Sequence, residues 1–144
     1  MKISEIKVSY SNNDKNRVKI KDSQSCYDVF LSFWNKNTLE LQEEFKVLLL
    51  NNANQILGIY PLSKGGTNST VVDVKILFSV ALKSNATSII IAHNHPSENL
   101  NPSEADKRLT QKIKEGANYL DIKLLDHLII TKGNYYSFAD NQIL

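Results

Sequence analysis

Ser88-Ile89-Ile90-Ile91-Ala92 does most to restrict how this chain can fold. The run is short, almost wholly apolar and free of polar alternation, as expected of a strand buried on both faces of its sheet. The segments around it alternate between strand and helix. Phe45 to Leu50 predicts a strand, Asn51 to Asn54 a turn, and Gln55 to Tyr60 the partner strand of a hairpin. Ser63 to Thr70, with Gly65-Gly66, predicts a loop whose glycines form a flexible turn. Asp73 predicts the cap of a helix with Ile76, Leu77, Val80 and Ala81 as its buried stripe. Ser103 to Ala117 predicts a second helix, with Leu109, Ile113 and Ala117 spaced by four. Ile122 to Thr131 predicts a strand, Lys132-Gly133-Asn134 a turn, and Tyr135 to Phe138 its partner. This order implies an α/β or α+β fold around a central mixed sheet.

The first forty residues read as a preface to that unit. Ser11 to Asn16 is a polar turn, and Val18 and Ile20 alternate with Arg17, Lys19 and Lys21 at strand period. Ser23 or Ser25 is the expected cap of a helix bearing Tyr27, Val29, Phe30, Phe33 and Trp34 on one face. Lys15, Arg17, Lys19 and Lys21 form a basic stripe, read first as a solvated edge guarded by charge and second as a weak nucleic-acid contact.

The chain of 144 residues suffices for one core. Its 22% charged and 42% hydrophobic residues exclude a disordered or low-complexity chain, and a net charge of +2 is too mild to imply nucleic acid by itself. The single cysteine, Cys26, excludes an intrachain disulfide and reads as a small buried hydrophobe. No apolar run approaches the roughly 18 residues of a membrane span. The start shows no apolar signal-peptide core, so the expected location is cytoplasmic.

The chemistry is concentrated in Ile91-Ala92-His93-Asn94-His95-Pro96-Ser97. His93 and His95 are two apart at a strand end, so both imidazoles point to one face, and Pro96 ends the strand. Ser103 follows, well placed as a helix cap, which puts Asp106 in the first helical turn. Two imidazoles and a carboxylate form a facial set of three ligands suited to Zn²⁺, with a fourth position open to water as in catalytic sites. Glu43 shares a strand face with Phe45, Val47 and Leu49, whereas Glu44 shares the other with Lys46. A carboxylate facing inward at a strand start is a sensible general base.

His93-x-His95, seven residues, then Ser103-x-x-Asp106, with an upstream glutamate, resembles the JAMM motif of the JAB1/MPN+ metalloproteases. The flanking text His93-Asn94-His95-Pro96-Ser97, Pro102-Ser103-Glu104-Ala105-Asp106 and Leu125-Asp126-His127 resembles the RadC-like branch over Leu41 to Leu144. The resemblance implies an MPN/JAB-like, cytidine-deaminase-like mixed sheet flanked by helices. It also implies Zn²⁺ on His93, His95 and Asp106, with Glu43 as base and Ser103 holding the oxyanion. The implied activity is peptide or isopeptide hydrolysis, with a peptide or protein as partner and no membrane. A DNA-repair label on RadC-like proteins supplies the alternative, a nucleic-acid-associated accessory protein.

Two departures stand out. Glu98 occupies a position where the RadC-like pattern has glycine, and the helical-hairpin DNA-binding segment of full-length RadC-like proteins is not evident. Contiguous His93-Asn94-His95 does not fit an HNH nuclease, whose three residues are dispersed. The complete ligand set argues against a non-catalytic module. Ser103-x-x-Asp106 also reads as a capping box, and the two roles are compatible. Asp126 is expected to be buried with Ile122, Leu124, Leu128 and Ile130, either supporting a ligating histidine or bonded to backbone. His127 is expected to face the other way, with Leu125 and Ile129, as a structural histidine. The short Asn99 to Pro102 connector predicts a shallow groove for an extended chain.

Overall fold

A computed structural model describes residues 1–7, 9, 11, 12, 16–66 and 71–144. Lys15 of the basic stripe, the middle of the early polar turn and residues 67–70 of the expected loop lie outside the described residues. The chain runs α1 (Ser23–Phe33), β1 (Glu44–Leu50), β2 (Ile56–Lys64), α2 (Val74–Lys83), β3 (Ser88–Asn94), α3 (Glu104–Tyr119), β4 (Lys123–Ile130) and β5 (Tyr135–Ser137). The strands form one mixed sheet in the order β2-β1-β3-β4-β5. β3 pairs antiparallel with β1 and parallel with β4, and α3 makes the crossover that a parallel pair requires.

Every residue of β3 is buried, as its apolar run demands. On one face Ile89 and Ile91 join Phe45, Val47 and Leu49 under Leu77, Phe78 and Ala81 of α2 and Ile113 and Ala117 of α3. On the other, Ile90 and Ala92 join Leu48, Leu50, Leu128 and Ile130 under Cys26, Tyr27 and Phe30 of α1. Three helices therefore flank a central mixed sheet. Among the described residues no helix is long and apolar enough to cross a membrane.

Several local expectations shift. Asp22 caps α1: its carboxylate accepts from Ser25 N, and the Ser25 hydroxyl accepts from Asp22 N, completing a capping box. Phe33 turns to solvent, whereas Trp34, just past the helix, is buried. The Val18–Ile20 strand reduces to a single bridge, Lys19 with Gln55. β2 runs on to Lys64, and Gly65 and Gly66 prolong the hairpin through backbone bonds with Glu43 instead of forming a free turn. In α2 the buried stripe is Leu77, Phe78 and Ala81, and Ile76 is exposed. Cys26 is enclosed, and burial pushes its thiol far up, out of the reactive range.

The largest departure lies in β4. Its register with β3 slips between Ile89 and Ile90, which pair with Leu124 and Asp126, so Leu125 is an extra residue. A bulge of this kind breaks the alternation of faces. Ile122 and Leu124 consequently pack under α2 and α3, whereas Leu128 and Ile130 pack under α1. Leu125 packs on the α1 side too, not with His127 as alternation alone would have it.

Candidate metal centre

β3 delivers both histidines. His93 pairs with Phe45 of β1 and Ile129 of β4, at the centre of the sheet. His95 lies just beyond the strand end, yet its backbone N–H still donates to Ile130 O at 3.1 Å and holds the β3 direction. The two imidazoles share one face, with their Nε2 atoms 2.9 Å apart.

α3 delivers the carboxylate. Ser103 N–H donates to Asp106 Oδ2 at 2.9 Å, and Asp106 N–H donates to Ser103 Oγ at 3.0 Å. This capping box fixes the carboxylate in the first turn. Asp106 Oδ1 then lies 3.3 Å from His93 Nε2 and Oδ2 lies 3.4 Å from His95 Nε2. Ligand atoms of the three residues all fall within 4.8 Å of one another.

The electrostatics suit a cation. Burial alone would raise the Asp106 carboxyl, but the His93 and His95 imidazoles against it outweigh this and hold the group far below the usual carboxylate range. Burial would lower His95, yet Asp106 and the Asn99 carbonyl bring it above its ordinary value. The contact of His95 Nδ1 with Asn99 O, at 2.5 Å, has a further effect. A carbonyl only accepts, so Nδ1 carries a proton and Nε2 is the nitrogen turned to the cluster. Nitrogen and oxygen donors converging in this number could hold a metal ion.

Glu43 sits one residue ahead of β1 and is buried. Its N–H donates to Gly66 O and its C=O accepts from Gly65 N, so it extends the ladder on the face of Phe45 and Val47. Burial raises its carboxyl, and the neighbouring His93 and His95 partly offset this. Glu44 lies 3.7 Å from both Lys46 Nζ and Lys64 Nζ.

Sequence reasoning missed three contributors. Asn94, between the two histidines, points to the opposite face and is fully enclosed. Its Nδ2 donates to Leu39 O and Gln42 O, at 2.7 and 2.9 Å, and its Oδ1 accepts from Glu44 N at 2.7 Å. It thereby clamps the segment that carries Glu43 onto the strand that carries the histidines. The second contributor is His127, turned toward the site with its Nε2 2.8 Å from His93 Nδ1. Burial first, then His93, pushes its imidazole well below the ordinary value, so it stays neutral. The third is Thr110, one turn after Asp106, whose Oγ1 lies 2.6 Å from His127 Nδ1. The recurrence of a hydroxyl four residues after Asp106 was the available signal.

Asp126, whose role the sequence left open, serves the backbone. Its Oδ1 accepts from His127 N and Ala139 N and its Oδ2 from Ser137 Oγ, at 2.7, 3.0 and 2.6 Å.

The family model of the RadC-like JAB domain matches residues 20–143, taking in α1 as well as the sheet. A UPF0758 protein of Flavobacterium johnsoniae is 54% identical over 101 residues, covering 70% of this chain and 44% of that protein. Another, from Porphyromonas gingivalis, is 43% identical over 129 residues, 89% of this chain and 56% of the relative. A third, from Chlorobium chlorochromatii, is 34% identical over 138 residues, 96% of this chain and 60% of the relative. The chain thus spans about half the length of the curated relatives it matches.

Proposed function

The chain belongs to the RadC-like JAB family, and from that premise we propose that it is a zinc-dependent hydrolase of peptide or isopeptide bonds. The observation that carries this reading is the convergence of His93, His95 and Asp106 beside the buried carboxyl of Glu43. When bound, Zn²⁺ supplies a Lewis acid that polarises a carbonyl and acidifies water. His93, His95 and Asp106 hold it.

Glu43 takes the proton from the attacking water and returns it to the leaving amine. Its carboxyl, raised by burial, lies closer to neutral pH than an exposed glutamate, which suits both halves of that task. Ser103 Oγ accepts from Asp106 N, which leaves its own proton to donate to the oxyanion of the tetrahedral intermediate. The preferred substrate is an extended, flexible chain, because the connector from Asn99 to Pro102 is too short to form a lid.

The test compares purified wild type, Glu43→Gln and His95→Ala by metal analysis and by turnover of an unstructured peptide library. One zinc per chain is expected in wild type and in Glu43→Gln, with hydrolysis by the latter slowed about 10²- to 10⁴-fold. His95→Ala should lose both metal and activity. Normal zinc occupancy in His95→Ala, or full activity in Glu43→Gln, would overturn the assignment.

A further inference from the structure

We infer that Thr110 and His127 are positioning residues that fix the ring orientation and tautomer of His93 and lock the two ligand-bearing elements together. They give the proposed metal hydrolase a support that its ligands alone do not have, and their chemical purpose rests on that reading.

Each hydrogen along this chain of contacts has one place to go. Thr110 Oγ1 lies 2.7 Å from Asp106 O, a carbonyl that can only accept, so the single hydroxyl proton of Thr110 goes there. Its oxygen, 2.6 Å from His127 Nδ1, must then accept, and Nδ1 carries a proton. His127 is fully buried between Phe138, stacked at 4.5 Å between centroids, and the edge-on ring of Phe45 at 5.7 Å. Apolar walls of this kind favour the neutral ring. With its proton on Nδ1, Nε2 of His127 is an acceptor and takes the Nδ1 proton of His93 across 2.8 Å. His93 is left with a bare Nε2, the atom that faces His95 and Asp106.

The polarity therefore runs one way from the α3 backbone through Thr110 and His127 to His93. It begins on the carbonyl of Asp106, itself a candidate ligand. β3, β4 and α3 are joined through these bonds, and a rotation of the His93 ring breaks its bond to His127 inside a buried core. Partners of this type behind a ligating histidine are worth about 10- to 100-fold in metal affinity.

Thr110→Val keeps the shape of the side chain and removes its hydroxyl, and Thr110→Ser restores the hydroxyl. Long-range ¹H–¹⁵N correlation spectra of histidine-labelled, metal-free protein read the tautomers directly. Wild type is expected to hold His93 with its proton on Nδ1, Thr110→Val to show a mixture, and Thr110→Ser to recover the single form. Competition with a chromophoric chelator for Zn²⁺ alone should show about 10- to 100-fold weaker binding in Thr110→Val and near wild-type binding in Thr110→Ser.

A His93 proton on Nε2 in the wild-type protein overturns the inference. So does a Thr110→Val variant unchanged in both readouts. Failure of wild type to bind Zn²⁺ would sink the hydrolase reading instead, and the metal-free spectra would still decide the tautomer. If Thr110→Val does not fold, the wild-type spectrum alone decides between the two tautomers and so for or against the relay.

Discussion

Glu98 holds a left-handed backbone, φ 66°, in the turn just after His95, where its N–H donates to His95 O at 3.0 Å. Three of the other non-glycine residues with positive φ, Asn54, Asn85 and Asp121, are of the kinds that tolerate this region. Glu98 is not. Relief of about 1–2 kcal/mol of strain, less the entropy that glycine loses on folding, leaves a net gain. Glu98→Gly is therefore expected to stabilise the protein by about 0.5–1 kcal/mol, read as a rise in urea midpoint at constant slope. A lower midpoint would mean that the glutamate side chain contributes more than its backbone costs. The candidate ligands were legible at this scale because spacing on a strand and a helix start is local information. His127 and Thr110 were not, since their partners lie 34 and 17 residues away along the chain.

β4 shows what alternation can and cannot reveal. From Asp126 onward the faces follow the period-two reading, and Asp126 and His127 do point opposite ways. The extra residue Leu125 carries no mark in the sequence, because a leucine suits either side of a strand covered on both faces. That single insertion decides that Ile122 and Leu124 belong under α2 and α3 while Leu128 and Ile130 belong under α1. Asp126, beside the bulge, binds the turn after β5 through Ser137 and Ala139. Burial raises its carboxyl, and its three hydrogen bonds only partly offset that. A carboxyl raised in the folded state binds its proton more tightly there than in the unfolded chain. Its contribution to stability is complete below the unfolded value of about 3.9 and is lost as pH rises through the folded value. Wild type should therefore lose stability relative to Asp126→Asn as pH rises from about 4 towards neutrality, seen in paired urea melts. A difference independent of pH would show that the carboxyl titrates alike in both states.

Over the whole molecule, the site face depends on how α2 and α3 pack together above the sheet. Gly116 of α3 meets Phe78 of α2 so closely that an added Cβ would lie 2.8 Å from the ring. Alanine would gain about 1 kcal/mol of helix propensity but would push a ring of the core aside, at about 1–3 kcal/mol. Gly116→Ala is expected to be net destabilising, and Phe78→Leu in the same chain should recover part of the loss. Additive effects of the two changes on the urea midpoint would break the idea that this contact sets the helix spacing. The layers themselves were readable from the unbroken apolar run of β3 and the striped helices. The weak N-terminal strand was not, because Lys19 makes only one bridge and the rest of its alternation has no partner strand among the described residues to answer it.

Asn94 gives the centre a single pivot. One amide, facing away from every candidate ligand, holds Leu39, Gln42 and Glu44 to the strand that bears both histidines. Glu43 and the ligand cluster are thus parts of one lever, hinged from behind the sheet. Steering the proposed base without touching the candidate ligands becomes a matter of remodelling the α1 side, the opposite face of the sheet. Under the proposed function, variation in reaction rate at constant metal affinity would then accumulate on the face of the protein that looks least like an active site.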